Sequence, residues 1–170
     1  DAWARTKPNG WKLSIVGPDE LGHLAELKRH VEKLSLERHV RFLSPVDGQA
    51  KNDTYCGADL FILPTHSENF GISVAEALAY ELPVVTTTGT PWQGLLERNC
   101  GWWVEASVDG IAEALADATA KSSSELAAMG KGGREWMKSD FSWDSVASQL
   151  TQCYEWLLGK GPSPDCVRLD

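Results

Sequence analysis

Short apolar, β-branched runs alternate along the chain with segments whose apolar residues recur every three or four positions. Leu13-Ser14-Ile15-Val16-Gly17 reads as a strand closed by Gly-Pro, and residues 20–34 follow as a helix with an apolar stripe of Leu21, Leu24, Leu27, Val31 and Leu34. Val40 to Leu43 is the next strand, ended by Ser44-Pro45, with a short helix over 48–56. Asp59 to Leu63 is a third strand, stopped by Pro64. Residues 71–80 read as a helix apolar nearly all round, and therefore as a buried one. Pro83 to Thr87 is a fourth strand, Leu95 to Arg98 a helical turn, and Trp102-Trp103-Val104 a fifth strand. Three helical segments follow near 109–121, 123–138 and 143–158, with Gly130-Lys131-Gly132-Gly133 read as a helix break. Periodicity stops at Gly159, so 159–170 is expected to be a frayed, flexible tail.

Alternation of this kind, with strands that are continuous apolar runs, predicts an α/β fold: a three-layer, Rossmann-like parallel sheet covered on both faces by helices. Residues 1–158 are read as one such domain, with no internal repeat. Ligands of these sheets bind beyond the carboxyl ends of the strands, which singles out the loops 17–20, 44–48, 64–71 and 87–94.

Composition narrows the function. The 170 residues are 42% apolar, enough for a core and too apolar for a disordered chain. A net charge of −8 argues against nucleic acid and against docking on an anionic membrane. No run approaches the roughly 20 apolar residues of a membrane span, and charges with Pro and Asn-Gly in residues 1–12 give no signal-peptide pattern. The eight Trp are scattered without basic-aromatic alternation, and those at 102, 103, 136, 143 and 156 fall on strand or helix faces, which reads as core. Cys56, Cys100, Cys153 and Cys166 form no Cys-x-x-Cys pair, so scattered reduced thiols are expected, with no metal site. His-Glu-x-x-His and Gly-x-Ser-x-Gly are absent.

Gly17-Pro18-Asp19-Glu20-Leu21-Gly22 lacks the glycine spacing of a dinucleotide fingerprint, and Gly130-Lys131-Gly132-Gly133 is not a phosphate-binding Walker loop. Asp19 and Glu20 are read instead as caps of the first long helix. The loop Pro64-Thr65-His66-Ser67-Glu68-Asn69-Phe70-Gly71 leaves a strand and enters a helix whose first amides lack internal partners. Such an end attracts a diphosphate, and Gly71 allows close approach. Glu68 and Glu76 straddle it. Carboxylates repel phosphate, so each is placed to accept hydroxyl protons on either side of it: ribose on one, sugar on the other. The competing readings are a solvated loop charge for Glu68 and an exposed helix edge for Glu76. Thr86 to Trp92 brings hydroxyls and amides to the same edge, or is simply a turn with Thr90 as N-cap and Pro91 at the first helical position. His66 reads as a polar loop residue.

Ser67-Glu68-Asn69-Phe70-Gly71-Ile72-Ser73-Val74-Ala75-Glu76-Ala77, followed by Leu82-Pro83-Val84-Val85, resembles the Glu-x7-Glu signature of retaining GT-B glycosyltransferases of family 4. The strand Leu13 to Gly17, Phe42-Leu43 with its Pro45-Val46 exit, and Phe141-Ser142-Trp143 also look like that family, so the likeness covers about residues 1–158. It implies the carboxyl-terminal, donor-binding half of the enzyme, taking a nucleotide-diphosphate sugar as substrate and needing no bound metal or cofactor. By that likeness Glu76 holds the donor ribose and Glu68 holds the donor sugar as the catalytic carboxylate. Asn69, Phe70 and Gly71 present amides to sugar and phosphate, and Val46 reads the nucleobase. Gly17, Ser67, Ile72 and Thr90 complete the donor-binding set. Transfer is implied to retain anomeric configuration, by same-face internal displacement or through a covalent intermediate.

The likeness also implies what is missing. The family's donor domain opens with a strand bearing an Arg, and then a Lys, that clamp the diphosphate; Arg5 and Lys7 are not at those positions. Asp1-Ala2-Trp3-Ala4 looks like the end of the helix after that strand. The first strand and the acceptor-binding N-terminal domain are therefore expected outside this chain, leaving exposed apolar surface where they would pack. Thr90-Pro91-Trp92 with Gly101 to Val104 looks like members that build lipopolysaccharide or other surface glycans, which implies a cytoplasmic site, with any contact at the inner face of the membrane made through the missing domain. Two alternatives stay open on sequence: a non-catalytic nucleotide-binding or scaffold module, and a nucleotide-sugar epimerase or phosphorylase of the same architecture.

Overall fold

Val84 and Val85 are adjacent, and both are almost wholly buried, 0% and 1% exposed. Successive strand residues point to opposite faces, so both faces of their strand must be covered. In the computed structural model, which describes residues 1–168, they are. Val84 packs with Val74, Leu78, Leu95 and Met137, whereas Val85 packs with Ala114 and Ala118. That is the expected three-layer α/β arrangement.

The strands are β1 (Leu13–Val16), β2 (Val40–Leu43), β3 (Phe61–Leu63), β4 (Val84–Thr87) and β5 (Gly101–Val104). The helices are α1 (Ala2–Thr6), α2 (His23–Lys33), α3 (Gly48–Cys56), α4 (Ile72–Ala79), α5 (Gly94–Glu97), α6 (Val108–Ala120), α7 (Ser123–Phe141) and α8 (Trp143–Leu157). All ladders are parallel: Leu13 opposite Val40, Phe61 opposite Val84, Val84 opposite Gly101.

The single sheet expected from sequence is two. Among the described residues β1 pairs only with β2, and β3-β4-β5 form a separate sheet. What joins them is side-chain packing: Trp3, Leu36, Val40, Ala112 and Leu115 form one cluster against Leu13, Phe42, Leu60 and Ile62, so α1 and α6 carry both sheets.

Four further expectations are corrected. The first long helix begins at His23, and Leu21, at φ 57°, lies outside it and fully exposed; Asp19 still accepts the Leu24 amide at 2.9 Å, while Glu20 does not cap. The glycines at 130–133 do not break a helix, because α7 runs through them. They are there for close approach: a Cβ at Gly130 would overlap the Glu81 carbonyl, and one at Gly133 would lie 2.7 Å from a Leu78 methyl. The helix over 72–79 is buried on one face only, through Val74, Ala77 and Leu78, whereas Ile72 is 69% exposed. Trp143 is not core but 88% exposed, on a helix that buries none of its residues.

The four thiols are free, as expected, yet two are not scattered: Cys153 Sγ and Cys166 Sγ lie 3.4 Å apart. In the expected tail, Pro164 is buried and its carbonyl accepts the Val167 amide at 3.0 Å; positions 169–170 of that tail lie outside the described residues.

Candidate functional site

The loop from Leu63 to α4 has to reverse direction within a few residues. It does so at Gly71, which sits at φ 76° as the N-cap of α4, a conformation that L side chains rarely adopt. A Cβ there would also press to 3.3 Å of the Trp92 indole nitrogen. That nitrogen donates to the Phe70 carbonyl at 2.5 Å, and the Phe70 ring packs on Trp92 and Phe141 at 5.1 and 5.8 Å. Further back, the Glu68 amide donates to the Gly89 carbonyl at 2.8 Å, and the Thr87 hydroxyl donates to the Thr65 carbonyl. The loop after β4 thus fastens the loop after β3 through its backbone. The side chains of His66, Ser67, Glu68 and Asn69 are left exposed. The first amides of α4, at Ile72 and Ser73, lie beyond them without intrahelical acceptors.

Thr90, expected at the ligand, is 4% exposed and works inside the turn: its hydroxyl donates to the Thr87 carbonyl at 2.9 Å, and its carbonyl accepts from Trp103 at 3.0 Å. It is not an N-cap either, since α5 begins at Gly94 behind Gln93.

Glu76 lies one turn into α4 with its carboxylate half-buried, not on a fully exposed edge. Lys51 donates to Oε1 at 2.5 Å and the Tyr55 hydroxyl to Oε2 at 3.0 Å. Both donors come from α3, which leaves the Val46 loop. Lys51 and Tyr55 are four apart, one turn on the same helix face. A second tether runs beside the first: Tyr55 stacks on Tyr80 at 5.0 Å and 13°, and the Tyr80 hydroxyl donates to Asn52. Beside the Glu76 carboxylate the Lys51 ammonium is held above its ordinary range. Burial, reinforced by the bond to Glu76, pushes the Tyr55 phenol strongly up, so it remains a donor at neutral pH.

Gly17 follows β1, its amide donating to the Leu43 carbonyl at 3.3 Å, and half-buried Val46 follows β2; both belong to the smaller sheet. Among the described residues no hydrogen bond joins either to Glu76, and α3 is the link. Sequence reasoning singled out the loop and both glutamates, but not Lys51 and Tyr55, which hold the Glu76 carboxylate. The available signal was their four-residue spacing, with Lys51 the one cation of the helix over 48–56. Two concavities lie away from it, one between α1 and α6 at Arg5 and Asp109, the other at Ala58, Leu82 and Leu126. The candidate site is an open face.

Parallel strands between two helical layers, the GT-B type of fold, are also the architecture of the solved structures on which this chain superposes. The chain belongs to the glycosyl transferases of group 1, whose family model matches residues 1–136. It is 31% identical over 136 residues to the mouse (Mus musculus) alpha-1,3/1,6-mannosyltransferase ALG2, covering 79% of this chain and 32% of that protein. It superposes on WaaG, a glycosyltransferase involved in lipopolysaccharide biosynthesis, with a TM-score of 0.65 at 27% identity, over 75% of this chain and 34% of that one. On the sucrose-phosphate synthase of Thermosynechococcus elongatus the TM-score is 0.75 at 23% identity, over 94% and 42% of the two chains. The chain spans about a third of the length of the mouse relative.

Proposed function

We propose that this chain binds the donor of a retaining glycosyltransferase: a nucleotide-diphosphate sugar whose diphosphate lies over the start of α4. Glu76 accepts the ribose hydroxyls and Glu68, assigned as the catalytic carboxylate, lies on the sugar side. The observation that carries this is the pair of carboxylates on either side of a helix start whose entry loop is backbone-anchored: Glu68 exposed before it, Glu76 clamped after it. Ser67, Asn69, Phe70, Gly71 and Ile72 line the path between them. Gly17 and Val46 are assigned to phosphate and base at the adjoining loops.

A mannosyl donor heads the candidates, because ALG2 is a mannosyltransferase, and a surface glycan or lipopolysaccharide is the favoured product class, because WaaG serves that synthesis. The site then works in the cytoplasm; no helix among the described residues is long and apolar enough to cross a membrane. Acceptor binding is assigned to a domain outside this chain. Among the described residues β1 and β3 each have a ladder partner on one side only, which leaves edges that a further strand could pair. Without that domain, acceptor positioning and most of the rate are lost.

The chain incubated with GDP-mannose or UDP-glucose is expected to show saturable binding by ligand-detected NMR and no release of nucleotide diphosphate. Sugar transfer or donor hydrolysis by this chain would contradict the assignment of the acceptor side to another domain. Absence of any binding would contradict the donor site itself.

A further inference from the structure

We infer that Lys51 and Tyr55 are positioning residues for nucleotide recognition: from α3 they fix the Glu76 carboxylate so that its two unused acceptor positions meet the two hydroxyls of a ribose cis-diol. The inference rests on the proposed role of Glu76 and deepens it.

A carboxylate offers about four acceptor sites, two on each oxygen. Lys51 occupies one on Oε1 and Tyr55 one on Oε2. One remains on each oxygen, which matches a cis-diol that donates two protons from adjacent carbons. Were both donors on the same oxygen, or absent, the carboxylate would turn about its last bond, a broad two-fold torsion. Held from both sides, it presents one edge.

The clamp is itself held. Stacking of Tyr55 on Tyr80 and the bond from Tyr80 to Asn52 fix α3 against α4 one turn beyond Glu76. The Val46 loop enters α3 three residues before Lys51, so the loop assigned to the base and the carboxylate assigned to the ribose move as one unit. A clamp that only stabilised the fold would not need Glu76 to stay open, and its carboxylate keeps 32% exposure. The ion pair is half-exposed and worth little to folding by itself.

Calorimetry with GDP and with 2′,3′-dideoxy-GDP, and with the corresponding UDP pair, separates the two levels. In the wild-type chain the ribonucleotide should bind roughly tenfold more tightly than its dideoxy form, the ratio expected for hydrogen bonds to a charged acceptor. Glu76→Gln should erase that ratio. The Lys51→Met/Tyr55→Phe double variant should lower ribonucleotide affinity about three- to tenfold while changing dideoxy affinity by less than about twofold. Lys51→Arg should restore most of the loss. Circular dichroism and melting without ligand report whether each variant folds; if the double variant does not, Tyr55→Phe and Lys51→Arg, compared across the same two nucleotides, decide the matter. Equal weakening of ribo and dideoxy forms, or no weakening, overturns the positioning role while the Glu76→Gln result stands. A ribose preference that survives Glu76→Gln, or no binding at millimolar nucleotide, overturns the donor reading and the positioning role with it.

Discussion

Trp92 shows how one side chain ties the core to the loop that carries the site. Its ring is 1% exposed and meets Trp136 edge-on at 5.5 Å, while its nitrogen holds the Phe70 carbonyl. Trp92→Phe removes the donor and one of the two fused rings from a packed site, so an unsatisfied carbonyl, a freed loop and a small cavity together cost about 2–5 kcal/mol, read by urea unfolding. Asp140 is a second such point. Its carboxylate accepts from Ser139, Trp136 and Arg98, and the Ser139 bond chiefly, with help from Trp136 and Arg98, holds its pKa below the usual carboxylate value. A lowered folded value means stability that is complete above the unfolded pKa of about 3.9 and is lost as the pH falls through the folded one. Asp140→Asn should therefore flatten the fall in melting temperature between pH 6 and pH 3, and an unchanged acid limb would contradict that. At this scale the sequence was legible where chemistry is local. Glu68, Asn69 and Gly71 are one motif, whereas the clamp on Glu76 comes from residues 25 and 21 positions away, a pairing no periodicity displays.

Elements were legible in order and type because strand runs and helix stripes are local patterns; they failed where tertiary contact decides. Residues 130–133 carry three glycines, which a propensity argument must read as a break, yet α7 continues because α4 and the turn after it press against that stretch. Two substitutions separate the causes. Gly132 is exposed and a Cβ there would have nothing nearer than 3.8 Å, so Gly132→Ala should stabilise by about 0.5–1 kcal/mol through helix propensity. Gly130→Ala should destabilise by about 1–3 kcal/mol, because the same gain is overwhelmed by overlap with the Glu81 backbone. Chemical denaturation of the two variants should give opposite signs; matching signs would mean that α7 is not pressed on α4. Leu21 and Trp143 failed in the other direction: both are large apolar residues that the pattern assigns to a packed face, and both stand in solvent at 106% and 88% exposure.

The whole molecule is two parallel sheets held on a shared helical layer, with the candidate site at the start of α4, beside the helix α3 that links the two. α3 follows the smaller sheet and grips α4 of the larger one through Lys51, Asn52 and Tyr55. The division into two sheets was not legible, because strand adjacency is a long-range property and β1 and β3 carry the same kind of apolar pattern as paired strands. A nucleotide that touches the α4 start, the Val46 loop and Glu76 together would cross-link the halves, so binding should register as global stability. The most direct measurement is the melting temperature of this chain with UDP, GDP, ADP and CMP and their sugars, in parallel with Glu76→Gln. At about 100 times the dissociation constant, one nucleotide should add about 2.7 kcal/mol of apparent stability, a rise on the order of 5–10 °C, and Glu76→Gln should lose most of it. No shift with any nucleotide at millimolar concentration, or a shift that Glu76→Gln leaves untouched, would contradict the donor site described above.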